Sequence, residues 1–276
     1  MPRSSPTTMT FPPFSGTTRK LVFANVGVFF AIAVLHLFVP GYTDVLVGHL
    51  VLQPGAVAHG QIWQLAAYPF IELGILGILF SSLSIWFCGS ILESSYGSRL
   101  LGELYFTSAI GGAVIASVLS FTRVLGLSPG ASSFGAWAGV YGILVAIAVR
   151  MGDLEFMLFP LPINIRAKYL VGIYFLIDIA ILLKGGDVFG ALLHLSAGFS
   201  GYLYVRYAPR RGVAFGFSEQ FYSMRNAYYR AKRRRAARKF EVYMGKQGRK
   251  VQFDDEGRYI DPDEERKNPR DKRWMN

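Results

Sequence analysis

Gly135-Ala136-Trp137-Ala138-Gly139-Val140-Tyr141-Gly142 opens an apolar segment that runs from Phe134 to Val149. Trp137 and Tyr141 stand four residues apart among glycines and alanines, and whether this segment lies in a membrane decides the fold. The rest of the chain answers that question. Of 276 residues, 52% are hydrophobic and only 17% charged, and the mean hydropathy is +0.32. These values belong to a membrane protein. No Lys or Arg occurs between Lys20 and Arg99, a length over which a soluble domain would show several.

Six apolar segments approach the roughly 20 residues a helix needs to cross a bilayer. They run from Leu21 to Val39, Leu73 to Leu92, Leu100 to Phe121, Phe134 to Val149, Tyr169 to Leu183 and Val188 to Tyr207. The last three are short, which neighbouring helices tolerate when they cover the ends. The first segment follows a Ser-, Thr- and Pro-rich start and lacks a small-x-small cleavage site, so it is expected to be a retained span and not a signal peptide. The expected fold is an all-α membrane protein: a flexible segment over residues 1–19, a six-helix membrane domain over 20–207, and a tail over 208–276.

Charge orients these segments. Arg3, Arg19, Lys20, Arg99, Arg150, Arg166 and Lys168 flank one side, whereas residues 40–72 contain no Lys or Arg. The 122–133 loop has only Arg123 and the 184–187 turn only Lys184. Positive-inside logic puts both termini in the cytoplasm. The long outer loop, with Trp63, Tyr68 and Phe70, is expected at the interface. Pro160 and Pro162 argue against a helix over 156–162.

From about Pro209 the chain carries 19 basic and 10 acidic residues. Arg225 to Lys239 holds eight basic residues, no acidic one, and neither Gly nor Pro; a cytoplasmic helix continuing from the last span is expected there. Asp254 to Asn276 mixes charges with prolines and is expected to be disordered. A polybasic run close to a last span is drawn to anionic lipid headgroups. Docking to an acidic partner ranks second, and nucleic acid third, because the sequence shows no recognised fold for it.

The stretch around Trp137 resembles the active-site segment of the rhomboid intramembrane serine proteases. There the fourth membrane helix opens with Gly-x-Ser-Gly, usually followed by a small residue, an apolar one, then Tyr or Phe and a glycine. Gly135, Tyr141 and Gly142 keep that spacing, Trp137 stands at the nucleophile position, and Ala138 replaces the glycine after it. Three further pieces are similar to the family. Glu93-Ser94-Ser95-Tyr96-Gly97-Ser98 matches a Glu-x-x-x-Gly-Ser turn, Trp63-Gln64 sits where Trp-Arg is usual, and His194 with Gly201 resembles the sixth-helix histidine motif. Within that motif, Ala197 stands where a glycine lets the sixth helix approach the fourth. The resemblance covers roughly residues 20–207. It implies that His194 is the retained dyad partner, and that Gly77 and Ser81 occupy the places of a His and an Asn that bind the oxyanion.

Acyl transfer by a Ser–His dyad needs a hydroxyl within reach of the imidazole and donors aimed at the developing oxyanion. An indole offers an N–H donor and no nucleophilic oxygen. Losing the serine costs about a millionfold in subtilisin, and the bulk of Trp137 is expected to plug the cavity. Ser132 and Ser133 are the fallback nucleophiles, yet five residues of helix would shift a hydroxyl by roughly 7.5 Å, beyond easy reach of His194. Capping of the fourth helix is the simpler role for them.

Other polar residues stand out against the apolar background. His194 is expected to hydrogen-bond between helices, to Tyr141 or Trp137. Asp178, inside the fifth span, needs a partner: Lys184, a helix end or another chain. His36 lacks a spaced second ligand for a pigment or haem, and whether His36 or His194 ligates one is left open by the residues. Cys88 alone builds neither a disulfide nor a metal site, so no cofactor or metal is expected. The reading is an inactive rhomboid-like protein of a bacterial inner membrane, a placement taken from the six-span core without a seventh helix. It would bind or stabilise transmembrane client proteins without cleaving them. The alternatives are an active protease with a displaced serine and a structural subunit of a larger membrane complex.

Overall fold

Each of the six apolar segments holds one long helix in a computed structural model, which describes residues 12–158, 163–207, 213–247, 251–253 and 259–260. In chain order, α1 is Gly16–Phe38, followed in the loop over 39–74 by α2 (Pro40–Leu50), α3 (Pro54–Ala58) and α4 (Gln64–Ala67). Next come α5 (Ile75–Tyr96), α6 (Ser98–Ser120), α7 (Trp137–Arg150), α8 (Ala167–Lys184) and α9 (Val188–Tyr207). Four of them, α1, α5, α6 and α9, are long and apolar enough to cross a membrane. At 14 residues, α7 spans about 21 Å, short of the ~30 Å hydrocarbon core. The 18 residues of α8 include Lys168, Asp178 and Lys184.

Two positions explain how α1 is set against the α5–α6 corner. Gly97 turns the chain with φ +89°, a conformation a side chain resists, so α6 starts directly after α5. At the same corner Glu93 accepts the backbone N–H of Thr17 at 2.7 Å and of Thr18 at 2.9 Å, and the Thr18 hydroxyl at 2.6 Å. The Ser98 hydroxyl donates to it as well. Ser15, the residue before α1, makes no side-chain cap, and Glu93 serves instead, satisfying N–H groups that have no intrahelical partner. For that reason α1 begins at Gly16, inside the segment expected to be flexible. Residues 1–11 lie outside the described ones.

The centre of the bundle is built on close approach. Helix α6 packs most extensively on α9, and so does α7. A Cβ on Gly112 would lie 2.6 Å from the Ala197 Cα, and one on Gly201 would lie 2.8 Å from the Gly142 Cα. Ala197 therefore faces α6, where Gly112 makes room for it, and the contact with α7 is made at Gly201. The loop between α1 and α5 is tied to this centre by Tyr68, fully buried, whose hydroxyl donates to the Ala109 carbonyl at 2.8 Å. Trp63 and Gln64 organise the loop itself. The indole donates to the His49 carbonyl at 3.0 Å, and the buried Gln64 side chain accepts the Gln53 N–H at 2.9 Å and donates to Gln61 at 3.0 Å.

Between α7 and α8 the chain forms an antiparallel hairpin, β1 (Glu155–Leu158) with β2 (Ile163–Arg166), its register pairing Glu155 with Arg166. Residues 159–162, with both prolines, lie outside the described residues. Contacts divide the chain after Arg210. The second unit contains α10 (Val213–Lys246), β3 (Gln252–Phe253) and β4 (Tyr259–Ile260). Ring contacts link its parts, Phe240 on Phe253 at 6.3 Å and Phe253 on Tyr259 at 6.2 Å. The strand Tyr259–Ile260 falls in the stretch expected to be disordered: two aromatic rings give it something to pack on, which a charge count does not register. The rest of that stretch, and the junction 208–212, lie outside the described residues.

Candidate functional site

The start of α7 is where the sequence motif becomes geometry. The residue preceding the helix is Ala136, which offers no side-chain cap. Its N–H is accepted at 3.3 Å by Glu72 Oε1, a carboxylate from the turn before α5. The expectation that Ser132 and Ser133 cap this helix is corrected here, because the helix begins at Trp137 and not at Phe134. Ser133 is held instead in a two-way backbone pair with Leu52, at 2.9 and 3.0 Å, and Ser132 is exposed.

Glu72 is only 5% exposed and is packed against glycine on two sides. A Cβ at Gly135 would lie 2.9 Å from Glu72 Oε1, and one at Gly77 would lie 2.5 Å from Oε2. The carboxylate therefore fills the space beside Gly77, at the helix end where the partial positive charge favours an anion. Burial raises the Glu72 carboxyl above its ordinary range, while the Ala136 N–H and the Ser81 hydroxyl pull it back. Stability that comes from the protonated form is complete below the ordinary value of about 4.5 and is lost as pH rises through the raised one. We expect the unfolding temperature in detergent to fall over that window, and to fall less in Glu72→Gln, measured side by side from pH 4 to 8.

Deeper in the bundle, Tyr141 stacks on His194 with ring centroids 4.9 Å apart and planes at 19°. His194 also turns Nδ1 toward Asp178 Oδ1 at 3.4 Å. Asp178 is 3% exposed, and its Oδ2 is buried without a hydrogen-bond partner among the described residues. The partner of Asp178 is thus His194 on the next helix, not Lys184. A carboxylate at Nδ1 holds that nitrogen as the donor and leaves Nε2 as the acceptor in the neutral ring. Trp137 lies against Tyr174, ring centroids 6.4 Å apart, and Tyr141 donates to the Tyr174 carbonyl at 3.4 Å.

The arrangement thus has a histidine oriented by a carboxylate, a stacked tyrosine and, one turn before it on α7, an indole. Trp137, Tyr141 and His194 share one region, Gly77 and Glu72 lie at the α7 start, and Glu93, Gly97 and Ser98 form the α5–α6 corner, at the other end of α5 from Gly77. Ser81 is buried, its hydroxyl placed between the Glu72 carboxyl and the Ile78 carbonyl 3.4 Å away. Glu72 and Tyr174 are the residues that sequence reasoning passed over. The available signal was that Glu72 is an acidic residue at the threshold of an apolar span, a costly placement that calls for a partner.

Residues 21–224 match the model of a family described as eukaryotic integral membrane protein (DUF1751), extending past α9 into the tail. Rhomboid-like protein 19 of Arabidopsis thaliana is 29% identical over 185 residues, covering 60% of this chain and 59% of that protein. Rhomboid protease GluP of Bacillus subtilis is 28% identical over 107 residues, 39% of this chain and 20% of that protein. RHOMBOID-like protein 1 of Arabidopsis thaliana is 34% identical over 86 residues, 31% of this chain and 21% of that protein. The chain thus spans less than two-thirds of the length of each. The family's eukaryotic description gives no support to a bacterial inner membrane; a six-span core without a seventh helix is too general a feature to place the organism. With three-quarters of its length inside one family model and rhomboid-like relatives on both sides of that label, the chain belongs to the DUF1751 family of integral membrane proteins and is rhomboid-like.

Proposed function

We propose that this protein is a catalytically inactive rhomboid-like membrane protein that holds transmembrane segments of client proteins without cleaving them. The observation that carries this reading is the occupant of the nucleophile position: Trp137, an indole packed on Tyr174, where acyl transfer needs a hydroxyl. Glu72 adds to it, since a carboxylate beside Gly77 repels the negative charge that develops on a substrate carbonyl. In this reading α1, α5, α6, α7, α8 and α9 all cross the membrane, both termini are cytoplasmic, and Trp137 plugs the former substrate cavity.

The test is labelling with a fluorophosphonate, read as intact mass beside an active rhomboid protease. No adduct is expected on this protein under conditions that label the control fully. Trp137→Ser should also stay unlabelled, because restoring the hydroxyl leaves Glu72 in place and adds no oxyanion donor. An adduct on Ser132 or Ser133 that His194→Ala abolishes would establish the displaced-serine alternative. A stoichiometric partner recovered in mild detergent would favour the structural-subunit alternative.

The basic helix is the proposed membrane-surface element. Within α10, Arg225 to Lys239 is exposed apart from Ala237, and each basic residue near an anionic surface contributes about 1 kcal/mol. Trypsin should cut between Arg225 and Lys239 more slowly in proteoliposomes containing phosphatidylserine than in phosphatidylcholine alone. The difference should vanish at ~1 M salt, where the Debye length is about 3 Å.

A further inference from the structure

Apart from the Trp137–His194 region, the membrane domain has a cavity of about 650 Å³ between α1, α2, the turn before α5 and the strand-like segment before α7. Its walls are apolar, with Phe29 of α1, Val47 of α2 and Phe134 among them, and three titratable groups line it: His36, Asp44 and Glu72. His36 Nδ1 lies 3.6 Å from Asp44 Oδ1, on exposed side chains, whereas Glu72 is nearly fully buried. No Lys or Arg is among the lining residues; His36 is the one basic side chain there, and Glu72 is additionally held by the Ala136 N–H at the start of α7.

We propose that this cavity binds a cationic single-chain amphiphile, its amine between Asp44 and Glu72 and its alkyl chain along Phe29 and Phe134. Three observations select that occupant. The volume lies within the roughly 300–1,000 Å³ of small-molecule sites, far below what a membrane helix about 30 Å long would need. Two carboxylates in an apolar surround complement one positive charge, and a phosphate-bearing headgroup would set a third anion beside them. The three groups do not converge as a metal site, for no such cluster of His, Cys, Asp or Glu exists among the described residues. The site is independent of the client-holding reading: either stands if the other fails.

The probe is dodecylamine, titrated at pH 7 into the full-length protein in a neutral detergent, with adducts counted by native mass spectrometry. Dodecanol, with the same chain and no charge, is the control. Saturable one-to-one binding of the amine is expected, with dodecanol at least about tenfold weaker, one charge-assisted contact's worth. Gly48 lines the cavity and a Cβ there meets nothing within 4 Å. Gly48→Trp should therefore fill the space without disturbing the fold, leave the ligand-free unfolding temperature unchanged, and abolish binding. Asp44→Asn should weaken the amine and leave dodecanol unaffected. Equal binding of the two probes, or full amine binding by Gly48→Trp, overturns the proposal. So does displacement of the amine by phosphatidylethanolamine at equal concentration, which would assign the cavity to a phospholipid.

Discussion

Gly112→Leu is expected to be the most damaging single substitution in the membrane domain, lowering its stability by about 3 kcal/mol or more. The reason is the backbone of α9. A Cβ at Gly112 would sit 2.6 Å from the Ala197 Cα and 2.7 Å from its nitrogen, atoms that cannot rotate away as a side chain can. Relief requires α6 and α9 to separate, and these two helices share the largest packing surface in the bundle. Separation would also loosen the neighbouring approach of α9 to α7, where Gly201 meets the Gly142 backbone. The measurement is thermal unfolding in mild detergent, with monodispersity followed in parallel. Gly112→Ala should do less harm, and adding Ala197→Gly should recover only part of it. That swap removes the methyl group of Ala197 but leaves the Cα and nitrogen in the way. Full recovery would mean that the Cβ–Cβ contact, and not the backbone, sets the helix spacing.

Glu93→Ala should come next, at about 2 kcal/mol, from the loss of a helix cap and of charge-assisted hydrogen bonds. Glu93 accepts from two backbone N–H groups of α1, from the Thr18 hydroxyl and from Ser98. The substitution thus detaches the start of the first long helix from the α5–α6 corner. Hydrogen exchange gives a readout that a general loss of stability would not reproduce. Protection should fall first and furthest at Thr17 and Thr18, with the α6–α9 interface unaffected under native conditions. Glu93→Gln keeps an oxygen acceptor and loses the charge, so it should fall between wild type and alanine.

These two residues show how unevenly the structure was legible. Glu93, Gly97 and Ser98 stand out in the sequence as a turn motif, yet what Glu93 holds lies 75 residues away at Thr18. No local pattern carries that partner. Gly112 carries no signal at all, one glycine among several in an apolar helix. Asp178 is conspicuous as an acid inside an apolar segment, but its pairing with His194 depends on how α8 and α9 are docked. Ser132 and Ser133 misled for a related reason. They are good capping residues just before an apolar run, but the strand-like pairing of Ser133 with Leu52 holds the chain extended and delays the helix to Trp137. Glu72 then takes the cap from another part of the chain.

Hydropathy and charge are properties of short stretches, so the sequence by itself determined where the long apolar helices run, that the tail differs from the rest, and that Trp137 stands among small residues. The carboxylate at the start of α7, the His194–Asp178 pair, the α6–α9 spacing and the cavity under His36 are each made by groups far apart in the chain. Only the tertiary structure decided them, because a buried charge or a bare glycine backbone is satisfied by whatever the packing brings against it, and that neighbour is not written in the residues on either side.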